Sequence, residues 1–131
     1  MMTSRPESIG AHFVVTVPIK TPSTANLREF WATKARRVKA QRQAVYLCLK
    51  SAIAKGLELP PLPVVVTLIR MNSHPLDSDN VQAALKGVRD EVAKAYGVDD
   101  RGAHIEWRYA QARGRPSSVV VSVEPQAREA K

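Results

Sequence analysis

A short apolar segment in the middle of the chain, residues 64–69, constrains the fold more than any other feature. It reads Val-Val-Val-Thr-Leu-Ile, so apolar side chains occupy both odd and even positions. Side chains of a strand alternate between its two faces, and a strand that is apolar on both faces is typical of the centre of a sheet. We therefore predict a sheet in which this segment is a central strand.

The remaining periodic segments predict three more strands and two helices. The strands are predicted at 12–18, 104–111 and 118–123, and the helices at 27–55 and 79–96. A helix over 27–55 would be about 43 Å long, so the alternative that the residues before Thr33 form a loop stays open. Residues 112–116 predict a hairpin loop between the last two strands. The order βαβαββ predicts an α+β fold, a two-layer sandwich in which two main helices pack on a mixed four-stranded sheet.

Length and composition predict one domain with ordinary apolar content. The chain has 131 residues, 44 % of them apolar, and no stretch approaches the roughly 20 apolar residues of a membrane-spanning helix. Cys48 is the only cysteine, which excludes an internal disulfide and a cysteine-based zinc cluster. We expect a flexible tail over 1–11, a single domain over 12–124, a flexible tail over 125–131, and a cytoplasmic protein that does not enter a membrane.

Positive charge is concentrated in one part of the chain. The formal net charge is +8, and residues 28–55 contribute +7 of it, with Glu29 as their only acid. Such a segment favours an anionic partner, most often nucleic acid. Lys34 and Arg42 fall in the same helical stripe as the apolar residues of this segment. Either their alkyl stems are buried while the charges reach water, or part of this face stays exposed to meet a ligand.

Acidic residues occur later in the chain, in a pattern that suits a divalent cation. Asp77 and Asp79 are two residues apart where a strand leads into a helix, so their carboxylates can point the same way. Mg²⁺ is held by one or two carboxylates with water and phosphate oxygens, and Asp99 or Asp100 offers a third acid. Two structural alternatives stand beside this interpretation. The pattern Asp79-x-x-Gln82 is also a capping box, and Asp99-Asp100 is also a turn.

Lys86 is a candidate catalytic cation on the second helix. Positions 79, 83, 86 and 90 lie on one face of a helix, which aligns Lys86 with Asp79. Helical side chains lean toward the N-terminus of their helix, so the ammonium group can reach back toward the acids. The alternative is a surface lysine paired with Asp90.

Three motifs in this order resemble the RusA family of Holliday-junction resolvases, the crossover junction endodeoxyribonucleases. They are Pro22-Ser23-Thr24-Ala25-Asn26 after the first strand, Leu76-Asp77-Ser78-Asp79-Asn80-Val81 at the start of a helix, and Val98-Asp99-Asp100 after that helix. The similarity covers residues 13–123. It implies a small homodimer, encoded mainly by phages and prophages, that cuts four-way DNA junctions with Mg²⁺ or Mn²⁺ held by three aspartates. The resemblance assigns the metal to Asp77, Asp79 and Asp100, with Asp99 as the alternative partner of the doublet.

One position departs from the family pattern. The family often has a lysine four residues after the second aspartate, where this chain has Ala83. Lys86 lies about 4.5 Å further along the helix axis on the same face and can substitute through its long side chain. If it does not, the chain is a junction-binding relative whose activity is weak or lost.

The leading hypothesis is Mg²⁺-dependent hydrolysis of DNA phosphodiesters at four-way junctions, in recombination and repair. In this hypothesis the three aspartates hold the metal, Lys86 stabilises the transition state, and basic side chains hold the DNA backbone. These are Arg28, Arg36, Lys39, Arg113 and Arg115. The alternatives are a non-catalytic protein that binds branched DNA with a degenerate active site, and a metal nuclease that acts on RNA. We expect Trp31 and Trp107 to pack in the domain rather than to stack on bases.

Overall fold

A computed structural model of the chain describes residues 12–22 and 31–126. Within these ranges the chain forms four strands and three helices. In chain order they are β1 (Phe13–Val17), α1 (Trp31–Ala54), β2 (Val64–Met71), α2 (Ser78–Ala84), α3 (Lys86–Tyr96), β3 (Ile105–Ala112) and β4 (Ser118–Pro125). The predicted α+β class, with helices on a mixed four-stranded sheet, is confirmed. In the described ranges no helix is long and apolar enough to cross a bilayer.

The four strands lie side by side in the order β1-β4-β2-β3. β2 pairs with β4 on one side and with β3 on the other, so the prediction of a central strand is confirmed. β2 and β3 are parallel, and the two helices between them supply the crossover connection that parallel neighbours need. The carboxyl ends of β2 and β3 therefore lie together at one end of the sheet.

The predicted hairpin between the last two strands is wrong. β3 and β4 do not pair, because β2 lies between them. β4 has valine at positions 119–121 and 123 and is largely buried, so it takes an inner position in the sheet. β3 alternates between more buried and exposed residues and takes the edge, where one face can stay in water.

The core lies between one face of the sheet and the helices. The strand register places Phe13, Val123 and Val66 in one row across three strands, and all three are fully buried. Burial of a side chain of this size stabilises the fold by about 1.5–3 kcal/mol, so such rows fix how the helices lie on the sheet. The helical side of the core consists of Val45, Leu49, Ala52, Val81, Leu85, Val88, Val92 and Ala93.

α1 is longer than the core that it covers. Val45, Leu49 and Ala52 are buried as the helical stripe predicts, but Trp31 is 78 % exposed and Ile53 is 46 % exposed. The prediction that Trp31 packs in the domain is therefore wrong. A helix of 24 residues spans about 36 Å, whereas a strand of eight residues spans about 26 Å, so α1 is longer than the strands of the sheet. The part of the predicted helix before Trp31 lies outside the described residues.

The second predicted helix is divided at Leu85. α2 ends and α3 begins at this residue, whose backbone angles of φ −101° and ψ 9° depart from helical values. Its side chain is fully buried, and its backbone N–H still donates to the carbonyl oxygen of Val81 at 3.0 Å. The helix is therefore interrupted at a core residue without loss of this hydrogen bond.

The sheet continues further toward the C-terminus than predicted. β4 includes Pro125, which pairs with Val64, and the backbone N–H of Gln126 donates to the Pro63 carbonyl oxygen at 3.2 Å. These contacts with β2 and the residue before it place residues 125 and 126 in the domain rather than in the predicted tail. Residues 1–11 and 127–131, for which tails are predicted, lie outside the described residues.

Candidate active site and nucleic-acid interface

The loop that follows β2 carries the first predicted acid and is held by side chains from two strands. Gln111 of β3 binds the backbone of Leu76 twice: its Oε1 accepts from the Leu76 N–H at 2.8 Å, and its Nε2 donates to the Leu76 carbonyl oxygen at 2.7 Å. Arg70 of β2 donates from Nη1 to the carbonyl oxygen of His74 at 2.9 Å. The backbone that precedes Asp77 is therefore fixed at two points.

Arg70 is a buried cation that joins this loop to the segment after β1. It is only 3 % exposed, and its Nε donates to the carbonyl oxygen of Thr21 at 3.0 Å and to Thr21 Oγ1 at 3.1 Å. Burial lowers the pKa of the Arg70 guanidinium, and these acceptors satisfy donors that are costly to bury. Neither Arg70 nor Gln111 is among the predicted site residues. Each is a polar residue near the carboxyl end of its strand, at a position that alternation assigns to the same face as the buried residues. A polar residue at such a position could have marked both in the sequence.

Asp77 and Asp79 lie at the start of α2 and are exposed. Asp77 is the N-cap residue, and its side chain makes no capping hydrogen bond. Asp79 lies in the first helical turn rather than at the cap, so the capping-box alternative for Asp79 and Gln82 is wrong. Neither carboxylate has a hydrogen bond or ion pair with another residue of the described ranges. Within the described ranges both carboxylates are therefore exposed and without a side-chain partner.

Asp100 is engaged by Arg89 of α3. Arg89 Nε donates to Asp100 Oδ2 at 2.8 Å, and Arg89 Nη2 donates to the Asp100 carbonyl oxygen at 3.0 Å. The same guanidinium donates to Tyr109 Oη at 2.8 Å and lies 4.8 Å from the ring centroid of Trp107. Trp107 Nε1 donates to the Asp100 carbonyl oxygen at 2.7 Å. Trp107 therefore packs in the domain as predicted, and Asp100 has one carboxylate oxygen committed to Arg89.

Asp99 stabilises a turn, which is the alternative to a metal-binding role for the pair Asp99 and Asp100. Its Oδ1 accepts from the backbone N–H of Arg101 at 2.9 Å. This hydrogen bond, together with the Arg101 side chain, holds the pKa of Asp99 below its usual value. Asp99 is exposed, and it stabilises the turn that precedes β3.

The described residues contain no group of three Asp, Glu, His or Cys side chains placed to hold a metal ion. Asp77, Asp79 and Asp100 are therefore not gathered around a single point there. The donor chemistry does suit Mg²⁺, which often takes one or two carboxylates and completes its shell with water and substrate phosphate oxygens. The exposed pair Asp77 and Asp79 fits this mode of binding.

A small cleft leads from α2 and α3 to Asp100. It has a volume of about 260 Å³ and is lined by Gln82, Ala83, Lys86, Arg89, Asp100 and Tyr109. Lys86 Nζ donates to Asp90 Oδ1 at 3.2 Å. This is the surface ion pair that the sequence offers as the alternative to a catalytic role for Lys86. The Lys86 side chain is 67 % exposed, so this ion pair is weak enough for an anionic ligand to displace.

α1 has six basic residues, more than any other element of the described ranges. Its basic side chains are Lys34, Arg36, Arg37, Lys39, Arg42 and Lys50, and it has no acidic residue. Cations in the first half of a helix oppose the helix dipole, and like charges three or four residues apart repel each other. This distribution opposes the stability of α1, and an anionic ligand would relieve it. The predicted DNA contacts Arg36 and Lys39 are exposed, and Arg28 lies outside the described residues.

Lys34 and Arg42, which share the apolar stripe of α1, lie in different surroundings. Arg42 is half-buried, and its Nε donates to the buried Glu91 of α3 at 3.1 Å. Lys34 is exposed and lines a cleft of about 360 Å³ between α1 and the junction of α2 with α3. Further side chains that line this cleft are Arg37, Ala83, Lys86 and the acid Asp90. The basic side of α1 therefore meets the helices that follow the predicted acids.

Arg113 and Arg115 lie in the loop between β3 and β4 and are exposed. This loop adjoins the one that carries Asp77, because Asn72 Nδ2 donates to Ser117 Oγ at 2.9 Å. Arg113 and Arg115 therefore lie at the same end of the sheet as Asp77.

No protein-family model and no curated protein matches this chain, so its function has to be inferred from the residues of the site. Two features support that inference. One is the basic helix α1, and the other is the pair of exposed carboxylates at the start of α2.

Proposed function

We propose that this chain binds branched DNA and hydrolyses its phosphodiesters with Mg²⁺ or Mn²⁺ as cofactor. The observation that carries the proposal is that α1, basic and without an acid, shares a cleft with the helices that follow Asp77 and Asp79. A surface of this kind suits the phosphate backbone of nucleic acids. The four-way junction is the proposed substrate because the sequence motifs resemble those of the RusA family.

The proposed DNA contacts are Arg36 and Lys39 on α1 and Arg113 and Arg115 in the loop before β4. All are exposed cations, and contacts of this type hold the backbone without reading bases. A homodimer is part of the proposal, because a four-way junction has approximate two-fold symmetry and needs two cuts. The cytoplasm is the proposed location of this activity.

The proposed chemistry uses the exposed carboxylates and two of the cations of α3, Lys86 and Arg89. Asp77 and Asp79 would hold the divalent cation, and water and phosphate oxygens would complete its shell. A bound divalent cation supplies water activation and neutralises charge on the phosphate. Lys86 would exchange Asp90 for a phosphate oxygen and stabilise the charge that develops in the transition state. Arg89 holds Asp100 in place through its hydrogen bond to Oδ2.

A non-catalytic protein that binds branched DNA is the second candidate. The ion pair between Arg89 and Asp100 favours it, because that pair occupies the third carboxylate at 2.8 Å. The alanine at position 83, where the family often has lysine, favours it as well. In this candidate the basic surface binds DNA in the same way, and the aspartates have no catalytic role.

A synthetic four-way junction with one labelled strand separates the two candidates. We expect binding in the presence of a chelator and cleavage only when Mg²⁺ or Mn²⁺ is added. Asp79→Asn should abolish cleavage and keep junction binding, because it removes a metal ligand without removing a cation. Glu106→Gln is the matched control, since Glu106 is an exposed acid on the edge strand β3. It should cut like the unmodified chain.

Each other result has a distinct meaning. Binding without cleavage in either metal supports the second candidate. Cleavage retained by Asp79→Asn contradicts the assignment of the acids. Preferential cutting of a matched RNA junction would change the substrate to RNA, and absence of binding to any nucleic acid would overturn both candidates.

A further inference from the structure

The first part of α1 exposes a helical stripe that is buried later in the same helix. Trp31, Lys34 and Val38 are spaced by three and four residues and lie on the stripe that continues to Val45. Trp31 is 78 % exposed, Val38 is half-buried and Val45 is fully buried. From Trp31 to the first buried residue of α1, Gln41, the exposed part extends for about 15 Å along the helix axis.

The exposed ring of Trp31 lies on a helix whose following turn is cationic. Among the described residues it is the most exposed large hydrophobic side chain. Lys34 follows it by one helical turn on the same stripe, and Arg36 and Arg37 come next along the helix. Aromatic residues and arginine are enriched at protein interfaces and lysine is depleted there, so Lys34 is the residue that favours a nucleic-acid partner. One aromatic ring among cations is typical of surfaces on which nucleic-acid bases stack while cations contact the phosphates.

A cleft of about 360 Å³ leads from this end of α1 to Lys86. Lys34 and Arg37 line it on the α1 side, and Ala83, Lys86 and the Lys86 partner Asp90 line it on the other side. Lys34 is about 4.5 Å along the helix axis from Trp31, so a nucleotide whose base stacks on the ring has its phosphate within reach of the ammonium group. The strand would then continue along the cleft toward Lys86.

We propose that Trp31 is a stacking platform for an unpaired base of branched DNA and that Lys34 holds the adjacent phosphate. This inference rests on the proposed function and adds a substrate feature to it. Phosphate contacts alone do not distinguish paired from unpaired DNA, whereas a ring can stack only on a base whose face is open. Trp31 would therefore make the chain prefer a branch or gap with an unpaired base over a continuous duplex.

Binding is measured by fluorescence anisotropy in a chelator, so that cleavage does not interfere. The probes are a labelled duplex and the same duplex with a short gap of unpaired thymines. Trp31→Ala should weaken binding to the gapped duplex by about tenfold and binding to the continuous duplex by less than about twofold. Trp31→Phe, which keeps a ring, should retain most of the affinity. Leu47→Ala is the matched control, since Leu47 is also an apolar residue of α1 and is 55 % exposed.

Intrinsic fluorescence gives a second readout. The gapped duplex should quench the emission of the unmodified chain, and this quenching should be absent in Trp31→Phe, which retains only the tryptophan at position 107. Equal losses of affinity for both DNAs, or no loss in Trp31→Ala, would overturn the inference while the proposed function stands. So would a Trp31→Ala variant that binds DNA normally but changes its oligomeric state in sedimentation. Failure of the unmodified chain to bind any DNA would overturn the proposed function as well.

Discussion

Arg89 connects α3 to the turn that carries Asp100 and to the edge strand β3. Its guanidinium contacts the carboxylate and the carbonyl oxygen of Asp100, the hydroxyl of Tyr109 and the ring of Trp107. The position of Asp100 therefore depends on a cation that projects from α3. The cost of losing this cation is larger than that of a surface ion pair, because the side chains of Arg89 and Asp100 are only 23 % and 20 % exposed.

Arg89→Ala should lower the free energy of unfolding by about 2–3 kcal/mol, since hydrogen bonds to charged groups contribute about 1.5–3 kcal/mol each and the remaining acceptors are partly buried. Urea unfolding followed by circular dichroism measures this loss. Lys86→Ala removes the exposed pair with Asp90 and should cost no more than about 0.5 kcal/mol. Similar losses in both variants would contradict the special role of Arg89.

Tyr96 predicts how the stability of the domain changes at alkaline pH. Its hydroxyl donates to the Pro60 carbonyl oxygen at 2.6 Å, and burial raises the pKa of Tyr96 to about 12. Folding favours the neutral phenol, so its contribution is fully present below the unfolded pKa of about 10 and is lost as pH rises toward 12. The stability difference between the unmodified chain and Tyr96→Phe should therefore shrink between these pH values. A difference that stays constant would show that the hydroxyl is not buried in solution.

At the scale of elements, the end of α3 depends on a glycine. Gly97 has φ +71°, and its N–H donates to the Lys94 carbonyl oxygen at 2.9 Å. The N–H of Val98 donates to the Ala93 carbonyl oxygen at 3.1 Å. Gly97→Ala should lower the stability by about 1 kcal/mol, because the left-handed conformation strains a residue with a Cβ. Gly97→Asn should lower it less, since asparagine tolerates this conformation better. Thermal unfolding compares the two, and equal losses would point to another cause.

The elements themselves follow from local patterns, whereas their pairing does not. Residues 64–69 predict an inner strand because apolar content on both faces is a property of that segment alone. The position of β4 results from competition among strands for the inner places of the sheet. The valine-rich β4 takes an inner place beside β2, and β2 separates it from β3. The exposure of Trp31 is equally non-local, since it depends on which part of α1 the rest of the domain covers.

The candidate site divides in the same way. The spacing of Asp77 and Asp79 singles them out in the sequence, because both belong to one short segment. Gln111 binds Leu76, 35 residues away, and Arg89 binds Asp100 across a turn, so these contacts require the folded chain. Gln111 is unusual in the sequence because it is a polar residue on the face of β3 that carries Ile105. The sequence does not predict that it binds the loop at Leu76.

At the scale of the whole molecule, the two faces of the sheet differ in charge. The helical side carries α1 with six basic residues and no acid, whereas Arg108 of β3 is paired with Glu106 at 2.8 Å. Glu106 and Arg108 alternate with the buried Ile105 and therefore lie on the face of the sheet away from the helices. This asymmetry predicts that DNA is bound on one side only.

The salt dependence of DNA binding tests this asymmetry. Each phosphate that a cation neutralises contributes about −0.9 to the slope of log affinity against log salt concentration, so Arg36→Ala should reduce the magnitude of the slope by about 1. Arg108→Ala removes the same charge from the other face and should leave the slope unchanged. Anisotropy titrations of a labelled duplex in a chelator, over about 50 to 200 mM salt, measure both. Equal effects would mean that the net charge of +8 drives binding rather than the surface of α1, and no effect of Arg36→Ala would remove this residue from the interface.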